Sequence, residues 1–388
     1  MTRIVIGRTT RVCALVVLVC AAMVLMCGCW DAYELDSLLI VLGVSFDAAS
    51  TPDKVDIGVQ IGKNMREASG SGGVTTENSA VLFRAEDASI SSGFIDIEKN
   101  SSHKLLVNHI EVFLFGEEIA AQGIKKYMDA PLRNPGVRQD VPLVVVAGRA
   151  VDALSENLEG NSIAGNYFDD LFHGLARKSK YYQVRVLDFT LALLRKDSAS
   201  VIPMIQVYTT DRGYQQVKMI GMAVFKEDKM VGKLDLDQMQ GYIWANGDLG
   251  MDYITVDCQL GQAAFSVEKL DCVQRVAVEN GEVRVCFDVR ADVSLLELVW
   301  PEAMDTEAMK ESLSNVLNDT VRMKILDSFS AAQALDADIY AVGERLYRFH
   351  PGQWREVADE WSEYYQNAQV DVQVNAKIRS YGNMLGVA

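Results

Sequence analysis

From Leu38 onward the chain switches between two hydrophobic periods, and most elements can be placed from that pattern alone. Leu38 to Phe46 (LLIVLGVSF) is a continuous apolar run of strand length. Lys54 to Ile61 alternates, setting Val55, Ile57, Val59 and Ile61 on one face, as a half-buried strand does. Glu67 to Ser79 contains SGSGG and predicts a loop. Val107 to Phe115 (VNHIEVFLF) and Val141 to Ala147 (VPLVVVA) predict two further strands. Between them, the stretch after Gly123 predicts a helix ending at Pro131 and a turn through Asn134, Pro135 and Gly136. Strands that alternate with helical segments argue for a mixed α/β sheet.

Leu187 to Leu194 predicts a helix. Met219 to Val224 and Lys229 to Leu234 flank Lys226-Glu227-Asp228 and predict a hairpin. Asp235 then stands where an N-cap belongs, ahead of a helix with Leu236, Met239, Ile243 and Trp244 that Asn246-Gly247 closes. From Val283 to Leu295 apolar residues keep a period of two, the longest clear strand in the pattern. Beyond Pro301 a helix carries Met309, Leu313, Val316, Leu317, Val321, Ile325 and Phe329 at steps of three and four. Pro351 opens another, with Trp354, Val357, Ala358, Trp361 and Tyr365 on one stripe. The last strand alternates, with Val370, Val372, Val374, Ala376 and Ile378 inward. Helices concentrated late, beside long alternating strands, suit an α+β assembly.

The N-terminus follows a different rule. Arg3, Arg8 and Arg11 precede an uncharged apolar run from Val12 to Met26, the layout of an export signal and short for a spanning helix. The run ends in Met26-Cys27-Gly28-Cys29. A small residue directly before a cysteine is the pattern of a bacterial lipoprotein signal, so Cys29 is the candidate lipidation site. Cys27 fits badly, because bulky Met26 would occupy the small-residue position. The other reading is an uncleaved N-terminal anchor. Either places the rest of the chain outside the cytoplasm.

Composition narrows the classes. The chain has 388 residues, 49% hydrophobic and 23% charged, which excludes disorder, collagen-like repeats and a multispan membrane protein. A net charge of −16 makes nucleic acid a poor partner. Loss of residues 1–28 would remove three Arg and no acid, so an anchor must work through lipid rather than through attraction to anionic headgroups.

Several blocks together resemble a known family. GCWDAYEL (28–35), HKLLVNHIEVFLFGEEIA (103–120), LRNP (132–135), LDFTLALLRKDSASVIPMI (187–205), IGMAVFKEDKMVGKLDLDQMQGYIW (220–244), FHPGQWREVADEWSEYY (349–365) and IRSYGN (378–383) run in order. They are similar to the C subunit of spore nutrient-germinant receptors, the Ger(x)C or GerAC lipoprotein family. Met26 and the three later cysteines depart from the pattern. The resemblance implies an α+β protein of three mixed α/β domains, each a sheet with packed helices. The limits would be a signal peptide at 1–28, then 29–190, 191–278 and 279–388. It implies a lipoprotein held through Cys29 on the outer face of the spore inner membrane. Its partners would be two multispan subunits, of A and B type, in a complex that senses small nutrients. No enzymatic activity and no cofactor are implied.

The residues themselves point to no active site. The chain has four His (His103, His109, His173 and His350), too dispersed for a metal cluster, and no HExxH, CxxC, GxSxG or P-loop. His109, which the family pattern also carries, falls in an apolar strand, where a structural hydrogen-bonded role is ordinary. His350 precedes a helix start, where capping or packing is expected. The pairs Glu117-Glu118 and Asp169-Asp170 could be read as a glycosidase pair, but among 53 acids adjacent carboxylates are expected on solvated faces. Cys258, Cys272 and Cys286 lack the tight local pairing of a zinc site. They read as free thiols, with a Cys258–Cys286 bridge between neighbouring strands as the alternative. Two rival classes remain to be weighed. A lipid-anchored solute-binding protein would capture a nutrient directly between two similar lobes, and a cell-wall hydrolase would need a catalytic constellation that is absent.

Overall fold

The computed structural model describes residues 12–19, 38–62, 80–101, 103–154, 163–173, 182–195, 199–248, 253–258, 261–299 and 306–381. The segment up to Leu38 and the body from Leu39 are separate compact units. In the first, residues 12–19 form a helix, α1, exposed throughout. Among the described residues no helix is long and apolar enough to cross a membrane.

Two sheets organise the body, and the α+β class read from the pattern holds. The first sheet contains β1 (Leu38–Ala48), β2 (Val55–Gly62), β3 (Ala80–Asp87), β5 (Val112–Gly116), β6 (Pro142–Val146), β8 (Ala199–Thr209), β9 (Gln215–Lys226) and β10 (Lys229–Leu234). Their order is β10-β9-β8-β6-β5-β1-β2-β3, with β4 (Lys104–Leu106) on β1 and β7 (Val184–Arg185) on β6. The central β1, β5, β6 and β8 run parallel, and antiparallel pairs flank them on both sides. Parallel neighbours need crossover connections, and the crossing helices cover both sheet faces. That is why β5 and β6 are buried at every position and read as unbroken apolar runs.

On one face Phe46 stacks on Phe115 at 5.0 Å and on Tyr127 at 5.5 Å. The helices over it are α2 (Ile90–Ser101), α3 (Glu117–Gln122), α4 (Lys125–Arg133) and α6 (Val186–Leu193), contributing Ile97, Ile119, Met128 and Phe189 to its core. On the other face Val112, Leu114, Val144 and Val146 pack against Phe168 and Phe172 of α5 (Ala164–His173).

The second sheet has the order β11 (Tyr253–Cys258), β12 (Gly261–Glu279), β13 (Glu282–Val299) and β14 (Gln369–Ser380). Asn280 (φ 52°) and Gly281 (φ 80°) make the two-residue turn between β12 and β13, a position that suits the left-handed conformation of an Asn-Gly pair. Strand β14 lies parallel to β13, which forces a long crossover. The chain supplies α8 (Thr306–Ala334), α9 (Val342–Phe349), α10 (Pro351–Val357) and α11 (Trp361–Gln366). Leu313, Leu317, Val321, Ile325 and Phe329 of α8 recur every four residues and are all buried.

Helix α7 (Leu236–Asn246) joins the two sheets. Asp235 accepts a hydrogen bond from the Gln238 N–H at 2.9 Å, Gln238 returns the contact, and Gly247 (φ 67°) ends the helix, as the pattern predicts. Every residue from Met239 to Ala245 is buried, so the helix has no solvent face to mark with polar residues. Its core is shared with Met222, Val224 and Leu234 of the first sheet, Phe265 and Phe287 of the second, and Ile325 of α8. Gly241 permits the α7–α8 approach: a Cβ there would sit 2.0 Å from the Lys324 carbonyl oxygen.

Several expectations change in detail. The strand read across 107–115 is interrupted, because residues 107–109 form a 3₁₀ turn and His109 is exposed. Helix α4 continues through buried Pro131 to Arg133. The helix opened by Pro351 breaks at a 3₁₀ turn over 358–360, yet Trp354 and Trp361 still meet, their rings 5.2 Å apart. Strand β12 escaped the pattern because its ladder shifts between Val267 and Lys269, so buried positions change from odd (263, 265, 267) to even (270, 276). The domain limits at 190/191 and 278/279 fall inside α6 and β12, and β8 to β10 continue the first sheet. The loop over 67–79 lies outside the described residues.

Gly241→Ala is expected to destabilise the protein by about 1–3 kcal/mol, since α8 backbone must move to admit a methyl group. A lowered urea midpoint would show it, whereas an unchanged one would mean that α8 slides freely. Trp361→Ala, at a site 6% exposed, is expected to cost about 3–5 kcal/mol and to lower the thermal midpoint. An unchanged midpoint would show that the indole adds nothing to the core.

Candidate functional site

Open sheets with parallel strands leave a crevice outside the carboxyl ends of those strands. Here β1, β5 and β6 end at Ala48, Gly116 and Val146, and a cleft of about 830 Å³ opens beside them. Asp47, Asp56, Arg84, Glu86, Glu117 and Arg149 line it.

Asp47 is 4% exposed, near the end of a largely apolar strand. Its two carboxylate oxygens accept from the backbone N–H groups of Ala150 (2.7 Å) and Val151 (2.9 Å). This fastens the loop after β6 to the end of β1. Gly116 leaves the space, since a Cβ there would lie 2.3 Å from Asp47 Oδ1. Burial pushes the Asp47 carboxyl above its ordinary range, opposed by those two hydrogen bonds and by the Arg149 charge.

Asp56, on β2, is the second centre. Arg84 on β3 donates to it, with Nε 3.3 Å from Oδ1 and a shorter contact from Nη2, and Arg149 donates at 3.1 Å. One carboxylate thereby ties an edge strand to the loop after β6. Across the cleft Glu86 accepts from the Thr51 backbone N–H at 3.2 Å, and hydrogen bonding to Thr51 holds its carboxyl below the usual range. These three carboxylates are thus committed to positioning two loops, the one after β6 and the turn between β1 and β2. Such an arrangement presents a fixed, polar, mixed-charge surface to a ligand or partner.

The residues singled out by sequence do not converge there. Cys29 lies outside the described residues. His103 is exposed, with Nδ1 2.6 Å from the Ser101 carbonyl oxygen. His350 caps through its backbone, its N–H donating to Leu346 O and its carbonyl accepting from Trp354 N. His173 ends α5. Of the acid pairs, Glu117 and Glu118 border the cleft, while Asp169 and Asp170 lie on α5. Cys272 and Cys286 are free thiols on the adjacent strands β12 and β13, and burial pushes the Cys272 thiol up to about 12. The Cys258 side chain is outside the described residues. Among the described residues no cluster of His, Cys, Asp or Glu could hold a metal ion. Asp47 and Asp56 went unnoticed in the pattern, although a carboxylate at the end of a buried apolar strand is itself a signal.

With the geometry in hand, the comparisons decide the family. Residues 31–207 match the family described as "Spore germination protein N-terminal domain". Residues 220–382 match "Spore germination B3/ GerAC like, C-terminal". The chain belongs to the GerAC-like family. Among curated relatives, spore germination protein KC of Bacillus subtilis is 21% identical over 96% of each chain. Spore germination protein YndF of the same organism is 20% identical over 95% of this chain and 96% of its own. The crystal structure of the GerBC protein superposes with a TM-score of 0.53 at 15% identity, covering 87% of this chain and 97% of that one. At that identity the likeness establishes the fold.

The raised proton affinity of Asp47 has a pH signature. Above the ordinary aspartate value of 3.8 the native state holds this proton more tightly than the unfolded chain does, so stability falls as pH rises through that window. Urea unfolding of wild type and Asp47→Asn from about pH 3.5 to about pH 6 should shift in the variant's favour as pH rises. A constant difference would show that burial does not perturb this carboxyl.

Proposed function

We propose that this protein is the lipid-anchored, non-enzymatic C subunit of a nutrient germinant receptor. It sits on the outer face of the spore inner membrane, assembled with two multispan membrane subunits. The observation that carries the reading is the pair of family matches, 31–207 and 220–382, which follow one another along nearly the whole body. The named relatives KC and A3 of Bacillus subtilis are spore germination proteins, as is GerQC of Bacillus cereus.

The anchor rests on the N-terminal sequence. Three Arg, an apolar run from Val12 to Met26 and Gly28 directly before Cys29 match what lipoprotein processing needs. A diacylglyceryl thioether on Cys29 with a further acyl chain on the new amine would hold the protein durably, since each buried methylene adds about 0.8 kcal/mol. A body of net negative charge gains nothing from anionic headgroups, so the lipid carries the attachment. The solute-binding alternative expects two similar hinged lobes. Here one sheet has ten strands and the other four.

Cys29→Ala in the spore-forming host is the test. Labelled fatty acid should no longer be incorporated, the protein should leave the membrane fraction, and co-purification of two multispan subunits with it should fall. Label that persists on Cys29→Ala but is lost on Cys27→Ala would move the site by two residues. Wild-type protein purified from spore membranes without any multispan partner would overturn the receptor reading.

A further inference from the structure

A second cleft, of about 640 Å³, lies where the first sheet meets the crossover helices of the second. One wall comes from residues 182–185, α6 and the start of β8, and the other from residues 339–341 and α9. Tyr182, Tyr242 and Tyr340 line its base, with Tyr242 edge-on to Tyr182 at 5.7 Å and 5.5 Å from Tyr340. Desolvation raises all three phenols, so they are neutral hydrogen-bonding groups here.

Two features of this cleft lack an internal explanation. Gln183 Oε1 and Ser200 Oγ are both buried atoms with no hydrogen-bond partner among the described residues. A buried acceptor or hydroxyl left unmatched is costly, and native structures rarely leave one so. The second feature is charge. In a chain of 53 acids and 37 basic residues, four guanidinium groups border this one cleft. Arg185 pairs with Asp188 at 3.2 Å and Arg348 pairs with Glu344 at 2.5 Å. Arg195 and Arg345 have no ion-pair partner among the described residues, and Asp248 is a further carboxylate on the lining. The site thus offers two cationic forks without an ion-pair partner among the described residues, a buried acceptor and a buried hydroxyl, over an aromatic base.

We infer that this cleft binds a small molecule carrying an oxyanion, carboxylate or phosphate, together with a hydroxyl or other hydrogen-bond donor. Arg195 and Arg345 receive the oxyanion, because a guanidinium presents paired donors that fit carboxylate and phosphate oxygens. The donor satisfies Gln183 Oε1, and Ser200 Oγ bonds in either sense. Occupancy bridges α6 and β8 to α9, so it tightens the joint between the two sheets. This inference goes beyond the receptor reading and does not rest on it.

The test uses the full chain in detergent micelles and four probes at matched ionic strength. Glycerol 3-phosphate and glycerate each pair an oxyanion with hydroxyl donors, and comparing them separates phosphate from carboxylate. Inorganic phosphate lacks the organic donor, and glycerol lacks the charge. Saturable binding of glycerol 3-phosphate or glycerate by calorimetry, with a raised thermal midpoint, is expected; glycerol should do nothing, and inorganic phosphate should bind more weakly. Arg195→Gln with Arg345→Gln should cost at least about tenfold in affinity, and Ser200→Ala a smaller factor. Both arginines are exposed, so the double variant should keep its circular dichroism and its unliganded midpoint, and either single variant serves if it does not. The inference is overturned if neither organic probe binds, if sodium chloride reproduces the stabilisation, or if the arginine variants bind as tightly as wild type.

Discussion

The body depends on one helix whose middle, Met239 to Ala245, is buried on every side. α7 lies between β9 of the first sheet, β12 of the second and α8 of the crossover, and shares one continuous core with all three. Trp244 is 1% exposed in that core. Helix and hairpin are fixed by short local devices, the Asp235–Gln238 box, Gly247 and the turn at Glu227, so α7 arrives at a defined angle. Lys324 pairs with Asp237, and Gln240 donates to the Tyr253 carbonyl at 2.9 Å, tying the helix to α8 and to β11. Once α7 is in place the two sheets have little freedom to move apart, which is why interior packing density transmits between them.

The second constraint is parallel pairing at both ends of the chain. In the first sheet it brings helices to both faces and buries β5 and β6 completely. In the second it requires the crossover α8–α11 between β13 and β14. That crossover is stitched by polar contacts as well as by apolar ones. Gln333 Nε2 donates to the carbonyls of Tyr365, Gln366 and Ala368, and the Asp338 carboxylate receives the N–H groups of Val342 and Gly343 at the start of α9. Burying these backbone groups without partners would cost more than the helices could return.

Elements with a regular local signal were legible in the sequence: β2, α8 and β14 by a single period along their length, α7 by its caps, and the β9–β10 hairpin by the polar turn between two apolar runs. What was not legible follows from tertiary geometry. β12 changes parity at its bulge, so no single alternation describes it. Residues 107–109 carry apolar neighbours but turn in a 3₁₀ step that only the adjoining β4 and β5 impose. Neither cleft could be read from spacing, because Asp47 and Arg149, or Arg195 and Arg345, come to line one cleft only after the body is assembled.

The β8–β9 hairpin has a consequence for how this family can vary. The two family segments, 31–207 and 220–382, divide at the tip of that hairpin, yet its arms pair from Ala199–Lys226 to Thr209–Gln215 and belong to one sheet. The unit that sequence similarity recognises is therefore offset from the unit that folds. A chimera joined at the tip would graft β9 and β10 of one lineage onto the sheet of another, so Ile202 and Ala223, adjacent across the join and fully buried, would have to fit residues with a separate history. A junction at this seam is therefore constrained by side-chain fit between Ile202 and Ala223.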